Sequence, residues 1–292
     1  MIKRIHKAVF PVAGLGTRNL PATKSIPKEM LPIVDRPIIQ YAVDEALNAG
    51  MDEMVFIVSP YKSSIKDYFD KSVELERLLQ KKQKGKELSL IRSIIPEDTK
   101  CTYVVQEEAL GLGHAVLCAS EVIGAEPFSV ILPDDLIKVK GKGCLAEMVN
   151  IYNRTDGNYI SVENVPRENT SRYGIVSTSN NTGSPYRITD IVEKPEPEDA
   201  PSTLAVVGRY ILKPEIFEYL ERTKTGHGGE IQLTDAIKTL IKSQHVYAYE
   251  FEGMRFDCGS KLGLLEANVC YALEHDELSS QFGNFLKKHH LN

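Results

Sequence analysis

The residues best suited to chemistry in this 292-residue chain are carboxylates, cations and glycines that stand where strands should end. Asp134 and Asp135 close an apolar run, Phe128 to Leu132, and Asp257 follows Phe256 beside Gly259. Carboxylate oxygens suit Mg2+, which proteins typically hold with one or two carboxylates while substrate phosphates supply further oxygens. Adjacent aspartates also make a turn or a helix cap, so the pair alone leaves both readings open. Alternation along a strand turns Asp135 away from whatever Asp134 faces. Near the N-terminus, Arg18, Lys24 and Lys28 follow a small-residue loop, Ala13-Gly14-Leu15-Gly16-Thr17. Glycines there let backbone N–H groups approach an anion and admit unusual φ/ψ, while the cations neutralise it. The chemistry is polyphosphate binding. Neither common fingerprint fits, because a G-x-G-x-x-G motif needs glycine where Asn19 stands and no Walker Gly-Lys-Ser/Thr follows.

Other candidates are weaker one by one. Glu193-Lys194-Pro195 ends a strand, where a carboxylate can accept from sugar hydroxyls and a lysine can pair with a phosphate monoester; a surface ion pair before a turn fits equally well. Gln106 precedes a second glycine loop, Gly111-Leu112-Gly113-His114, and offers a donor and an acceptor to a nucleobase edge. Alone, it reads as an ordinary exposed side chain. His114 reads as capping or packing rather than catalysis. Gly228-Gly229-Glu230 leads into a helix start, which accounts for its acids without a site. No Ser/His/Asp or Cys/His arrangement is present.

The elements that must position these residues follow from hydropathic periodicity. Strands are expected at Ala8–Val12, Met54–Val58, Thr102–Gln106 and Phe128–Leu132, alternating with helices at Pro37–Ala49, Ser63–Lys84 and from Ala115 onward. That alternation implies a mostly parallel sheet with helices on both faces, whose ligands sit outside the carboxyl ends of the strands. The loops at Gly14, Gly111 and Asp134 each follow a strand, so one crevice can collect all three. Past about Gly143 a helix to Tyr152 gives way to short strands, Ile160–Val165, Gly174–Ser177, Ile188–Glu193 and Ala205–Leu212, separated by polar turns. A more antiparallel region is expected there. Helices return at Pro214–Glu221 and Ile231–Ser243, then a strand at Val246–Phe251. In the tail, Leu278, Phe282, Phe285 and Leu286 form a helical stripe.

Three segments, Gly14-Leu15-Gly16-Thr17-Arg18, Leu20-Pro21-Ala22-Thr23-Lys24 and Pro27-Lys28-Glu29-Met30-Leu31-Pro32, together resemble the signature loop of the sugar-nucleotide pyrophosphorylases. The resemblance runs from Val9 to about Tyr271 through several separate motifs. It implies an α/β fold, a Rossmann-like, mixed but mostly parallel central sheet of the GT-A-like nucleotidyltransferase kind, with a smaller antiparallel sugar-binding region. One nucleotidyltransferase domain would span residues 1–275, its nucleotide-binding half ending near 142 and its sugar-binding half covering 143–275, before a helical tail at 276–292. By the same resemblance Asp134 and Asp257 ligate Mg2+, and Arg18, Lys28 and Lys194 act on the reacting phosphates. Ala13, Gly14, Leu15, Gly16, Thr17, Gln106 and Gly111 would bind nucleotide. Tyr173, Gly174, Glu193, Lys194, Val207, Gly208 and Glu230 would receive the sugar phosphate. The implied substrates are UTP and glucose 1-phosphate and the products UDP-glucose and pyrophosphate. The alternatives are another pair, such as dTTP or galactose 1-phosphate, and a catalytically silent nucleotide-sugar sensor. Family members commonly associate through C-terminal elements, so a homodimer or homotetramer is expected. Asn19 departs from the pattern, standing where the nearest relatives usually carry a large apolar residue.

Bulk composition agrees with these expectations and narrows the partners. A net charge of -5 disfavours a nucleic-acid surface, which normally carries a basic excess. The five cysteines are odd in number, widely spaced and without C-x-x-C, which signals neither a disulfide framework nor a zinc site. The N-terminal apolar run is cut by Pro11 and Gly14, and no run reaches membrane-spanning length, so a cytoplasmic protein without membrane partners is expected.

Overall fold

A computed structural model of the chain describes residues 2–61, 63–179 and 183–289. Its first half comprises β1 (Lys7–Pro11), the small hairpin β2 (Pro32–Ile33) and β3 (Arg36–Pro37), α1 (Ile38–Asn48), β4 (Glu53–Val58), α2 (Ser64–Phe69), α3 (Val73–Lys81), α4 (Gly85–Arg92), β5 (Lys100–Val105), α5 (Leu112–Cys118), α6 (Ser120–Ile123) and β6 (Phe128–Ile131). There follow β7 (Asp135–Lys138), α7 (Cys144–Tyr152), β8 (Asn158–Asn164), β9 (Gly174–Thr178), β10 (Tyr186–Glu193), β11 (Leu204–Leu212), α8 (Ile216–Arg222), α9 (Leu233–Leu240), β12 (Val246–Glu250), β13 (Met254–Asp257), α10 (Lys261–Ala272) and α11 (Ser279–Lys288).

Nine strands form one sheet in the order β5-β4-β1-β6-β11-β8-β12-β10-β9. Neighbours β5, β4, β1 and β6 are parallel, and so are β8 and β12. Only β11 and β10 run against the rest, each antiparallel to both of its neighbours in that order. The sheet is therefore mixed and mostly parallel, as the alternation of strands and helices implied. The later strands form the more antiparallel region their turn-rich sequence suggests: β11 pairs antiparallel with β6, β8 and β9, and β10 with β12 and β9, while α8 and α9 lie before β12, which runs parallel to β8.

Strand alternation divides the core into two layers. Val9, Val55 and Val130 face α5, α8 and α9, while the adjacent Phe10, Phe56 and Ile131 face α1 and α7. A third, smaller cluster joins Leu31, Ile33, Ile38, Leu136, Phe256, Cys258 and Ala267, tying the first loop to the β7–β13 ribbon and α10. The single helix expected over Ser63–Lys84 is broken instead into α2 and α3. Asp70 adopts extended backbone directly after the buried Phe69, and α4 follows where no helix was expected. The lysine-rich stretch Lys81 to Lys84 is exposed, as a solvated face should be. No helix among the described residues is long and apolar enough to cross a membrane.

Candidate active site

The chain leaving β1 turns at Gly16, whose φ of +66° places it in the left-handed region. A Cβ at that position would meet Thr23 and Lys28 side-chain carbons at 3.3 Å, so glycine is needed for room as well as for conformation. Thr23 donates its hydroxyl to the Gly16 carbonyl at 2.7 Å. Single 3-10 turns at Thr17–Asn19, Ala22–Lys24 and Lys28–Met30 fold the proline-rich loop back on itself. Lys28 thereby returns alongside Gly14, its Cε 4.0 Å from where a Cβ would stand. Arg18 and Lys24 are exposed, and Asn19 is buried.

The acids are brought together by a ribbon the sequence did not reveal. Strands β7 and β13 pair antiparallel with Asp135 opposite Asp257, and the Cys258 N–H donates to the Asp134 carbonyl at 2.8 Å. Glycine at 259 leaves a notch between the two loops. A Cβ there would lie 2.9 Å from Asp134 Oδ2, 3.0 Å from Asp257 Oδ1 and 3.0 Å from Arg18 Nη2. Two hard carboxylate oxygens thus aim at one point with a guanidinium beside it. No group of three or more His, Cys, Asp or Glu side chains suited to a metal occurs among the described residues. The donor set fits Mg2+, which takes one or two carboxylates and completes its shell with water and phosphate, and does not fit a dedicated all-protein cage.

Cations already sit on both carboxylates. Lys28 Nζ pairs closely with Asp134 Oδ2, and Arg18 and Arg172 lie 3.8 Å and 2.8 Å from Asp257 Oδ2. Burial works against the charge on Lys28, but the Asp134 and Glu29 carboxylates outweigh it and raise its pKa above the ordinary lysine range. Burial likewise works against the charge on Asp134, and Lys28 outweighs it, holding the carboxyl below its usual range. Asp135 turns the other way. Its Oδ1 accepts from Arg255 at 2.6 Å and its Oδ2 from the Gly208 N–H at 3.1 Å, while burial raises its pKa.

Val207 and Gly208 lie in an irregular stretch of β11, where pairing with β8 shifts register between Val206 and Tyr210. Ser161 donates to the Val207 carbonyl at 2.8 Å. The buried Arg209 donates to the carbonyls of Gly208 and Leu132 while its other nitrogens hold Glu45. Any Cβ on Gly208 would fall 2.6 Å from Leu132 Cβ, so this strand crosses close over the end of β6. Nearby, Arg255 pairs closely with Glu163 and donates to the Tyr173 hydroxyl at 2.8 Å, with its guanidinium 5.0 Å from that ring's centre. Gly174 pairs with Glu193 across β9 and β10, and the Lys194 N–H donates to the Tyr173 carbonyl at 2.9 Å. Glu193 accepts from the Thr234 hydroxyl at 2.8 Å and lies 3.2 Å from Lys194 Nζ. Lys194 has a φ of +44°, uncommon for a residue with a side chain, and its pairing with the Tyr173 carbonyl holds it there.

Gln106 is buried rather than exposed, donating to the Gly111 carbonyl at 3.3 Å and to His114 Nδ1 at 2.9 Å. The contact with His114 orients the amide. Gly111 has a φ of +97°, and a Cβ on it would lie 2.6 Å from Glu230 Cβ. Backbone bonds of 2.8 Å, from Gly113 N–H to the Ile231 carbonyl and from Ile231 N–H to the Leu110 carbonyl, zip the two loops together. Glu230, expected on the sugar-phosphate side, therefore packs on the glycine loop that follows β5. Sequence reasoning missed Arg172, Thr234 and Arg255. Arg172 adjoins Tyr173-Gly174 and Thr234 lies in the segment that begins at Gly228-Gly229-Glu230, whereas Arg255 offered no signal.

Residues 7–274 match the family described as Nucleotidyl transferase. The chain belongs to the nucleotidyl transferase family. This nucleotidyl transferase is 46% identical over 286 residues to the UTP–glucose-1-phosphate uridylyltransferase of Bacillus subtilis (strain 168), covering 98% of this chain and 97% of the relative. Its identity to the enzyme of the same name from Haemophilus influenzae is 48%, covering 96% of this chain and 98% of the relative. Among solved structures, UTP-bound UGPase from Acinetobacter baumannii superposes with a TM-score of 0.90 at 46% identity, covering 97% of this chain and 98% of that one. A UDP-glucose pyrophosphorylase complexed with UDP-glucose superposes with a TM-score of 0.85 at 46% identity, over 93% of this chain and all of the other.

Proposed function

We propose that the protein forms UDP-glucose and pyrophosphate from UTP and glucose 1-phosphate. The observation that carries this reading is the notch at Gly259, where Asp134, Asp257 and Arg18 converge with Lys28 on the same carboxylate. Near-full-length similarity to uridylyltransferases supports the choice of substrates.

A phosphate monoester has its second pKa near 6, so glucose 1-phosphate is largely a dianion at neutral pH and an adequate nucleophile. No general base is required. Its oxygen attacks the α-phosphorus of UTP in line, the new O–P bond forms, and the bond to the β-phosphate oxygen breaks with its electron pair leaving on pyrophosphate. The task for the protein is to bring two polyanions together and stabilise charge on the α-phosphate, which positioned cations and amides do. Arg18, Lys28 and the Leu15-Gly16-Thr17 backbone hold the departing phosphates. Gln106, Gly111 and the Ala13-Gly14 backbone take the uracil. Glu193 accepts from glucose hydroxyls beside the Tyr173-Gly174 and Val207-Gly208 backbones, and Lys194 orients the attacking phosphate. Asp134 and Asp257 would hold Mg2+, which would supply further neutralisation of phosphate charge. Glu230 serves the site through the glycine loop it covers. We place the protein in the cytoplasm as a homodimer or homotetramer.

The test is pyrophosphate release by the purified protein with Mg2+ across a grid of nucleoside triphosphates and sugar 1-phosphates. Release confined to UTP with glucose 1-phosphate is expected. Release with dTTP or galactose 1-phosphate instead keeps the mechanism and changes the substrates. No release from folded protein that binds UTP would sink the enzymatic reading in favour of a sensor.

A further inference from the structure

We propose that Arg172 is a positioning residue for the metal carboxylate Asp257. The inference rests on the assignment of Asp257 as a ligand. Arg172 ends the 3-10 segment Arg167–Arg172, directly before Tyr173, and reaches across to Asp257 from a stretch otherwise occupied with the sugar side.

The two oxygens of Asp257 do different things. Oδ2 accepts from Arg172 Nη2 at 2.8 Å and lies 3.8 Å from Arg18 Nη1, whereas Oδ1 is the atom 3.0 Å from the notch that it shares with Asp134 Oδ2. A carboxylate held by one oxygen has the direction of the other fixed. Arg172 thus presents Oδ1 to the notch without occupying it. The same logic makes outer hydrogen bonds to metal-ligating carboxylates count for about 10–100-fold in affinity or activity. Lys28, by contrast, sits on the notch oxygen of Asp134 itself, so its contact is exchanged when that oxygen takes a cation. Arg18 also lies at the notch, 3.0 Å from the same point through Nη2, and is free to turn toward phosphate from an exposed position. Of the three cations only Arg172 holds, at hydrogen-bond distance, a carboxylate oxygen other than the two that lie nearest the notch.

Planarity matters to this role. The flat guanidinium extends over the Tyr173 ring, 5.6 Å from its centre, while its Nη2 meets Oδ2. A lysine brings the charge without the fixed fork or the stacking. Arg172→Lys should therefore recover only part of what Arg172→Ala loses.

The experiment uses Mn2+ as the probe, titrated into full-length protein saturated with UTP and followed by water-proton relaxation. A carboxylate that leaves the metal is replaced by water, which raises the relaxation enhancement. Asp257→Asn should raise it relative to wild type and weaken Mn2+ about tenfold. Arg172→Ala should shift both quantities in the same direction by at least half as much, with Arg172→Lys in between and thermal melting unchanged. Arg167→Gln, a change in the same segment at a side chain bonded to the Ala200 carbonyl, should match wild type. Wild-type relaxation and affinity in Arg172→Ala, alongside a shifted Asp257→Asn, would overturn the positioning role and leave the ligand assignment standing. An unshifted Asp257→Asn would remove the ligand assignment and the proposal with it.

Discussion

Asp134 carries its charge because Lys28 sits on it, and that pairing makes stability depend on pH in a definite direction. A carboxyl whose folded pKa is depressed lends stability in full above its unfolded value, near 3.9, and loses it as pH falls through the folded value. Asp134→Asn removes the linkage. Between pH 5 and 2 the urea midpoint of the wild type should therefore fall further than that of Asp134→Asn, by the equivalent of about 1 kcal/mol, and equal slopes would contradict the pairing. Turnover in that variant should drop at least a hundredfold with the fold intact, measured by pyrophosphate release and circular dichroism. Lys194→Ala should raise the KM for glucose 1-phosphate about tenfold and leave that for UTP within twofold, the loss of one charge-assisted contact. The reverse pattern would mean the two substrate sites are exchanged. Asn19 is buried and its amide donates to the Cys258 and Gly259 carbonyls at 3.5 and 3.4 Å. A polar side chain here couples the phosphate loop to the notch, where an apolar one could only pack.

The β7–β13 ribbon is the element that makes one site out of two distant acids, and Arg255 fastens it to the sugar side through Asp135, Glu163 and Tyr173. Arg255 is 8% exposed, so its removal strands carboxylates in a poorly solvated place. Arg255→Met should cost about 3 kcal/mol in urea unfolding, and adding Asp135→Asn should cost less than the sum of the single changes by at least 1 kcal/mol. Strict additivity would refute the coupling. This ribbon was illegible in the sequence because its strands are four residues each and pair across more than a hundred positions, beyond the reach of any local period. The phosphate loop was legible for the opposite reason. Glycines, prolines and cations were concentrated there in one window, and their local geometry is set within that window.

At the scale of the molecule, the sheet class could be read from alternating strands and helices, while the order of its strands could not. The reversed β11 inserts between β6 and β8, so the strands on either side of it form one continuous layer. Arg255, whose role depends on such distant partners, carries no signature of its own in the chain, whereas Arg172 and Arg209 are marked only by the Tyr173-Gly174 and Val207-Gly208 motifs beside them. The tail presents another contrast. Its expected helical stripe is present as α11, yet no residue of that helix is buried. Every assigned site residue lies between Ala13 and Asp257. Deletion of residues 279–292 should accordingly leave pyrophosphate release per chain within twofold of the full-length protein, and a larger loss would place part of the site in the tail.

The position of β11 in the sheet also sets a schedule for synthesis. A chain emerging from the ribosome makes β1, β4, β5 and β6 early, but the edge of β6 stays unpaired until Leu204–Leu212 has been made. Such an edge invites association with other chains while it waits. Completion of the crevice comes later still, when Met254–Asp257 lies down on β7 and delivers the second carboxylate. The phosphate loop is translated before both of these acids, and it is without its full complement of them until Met254–Asp257 has followed.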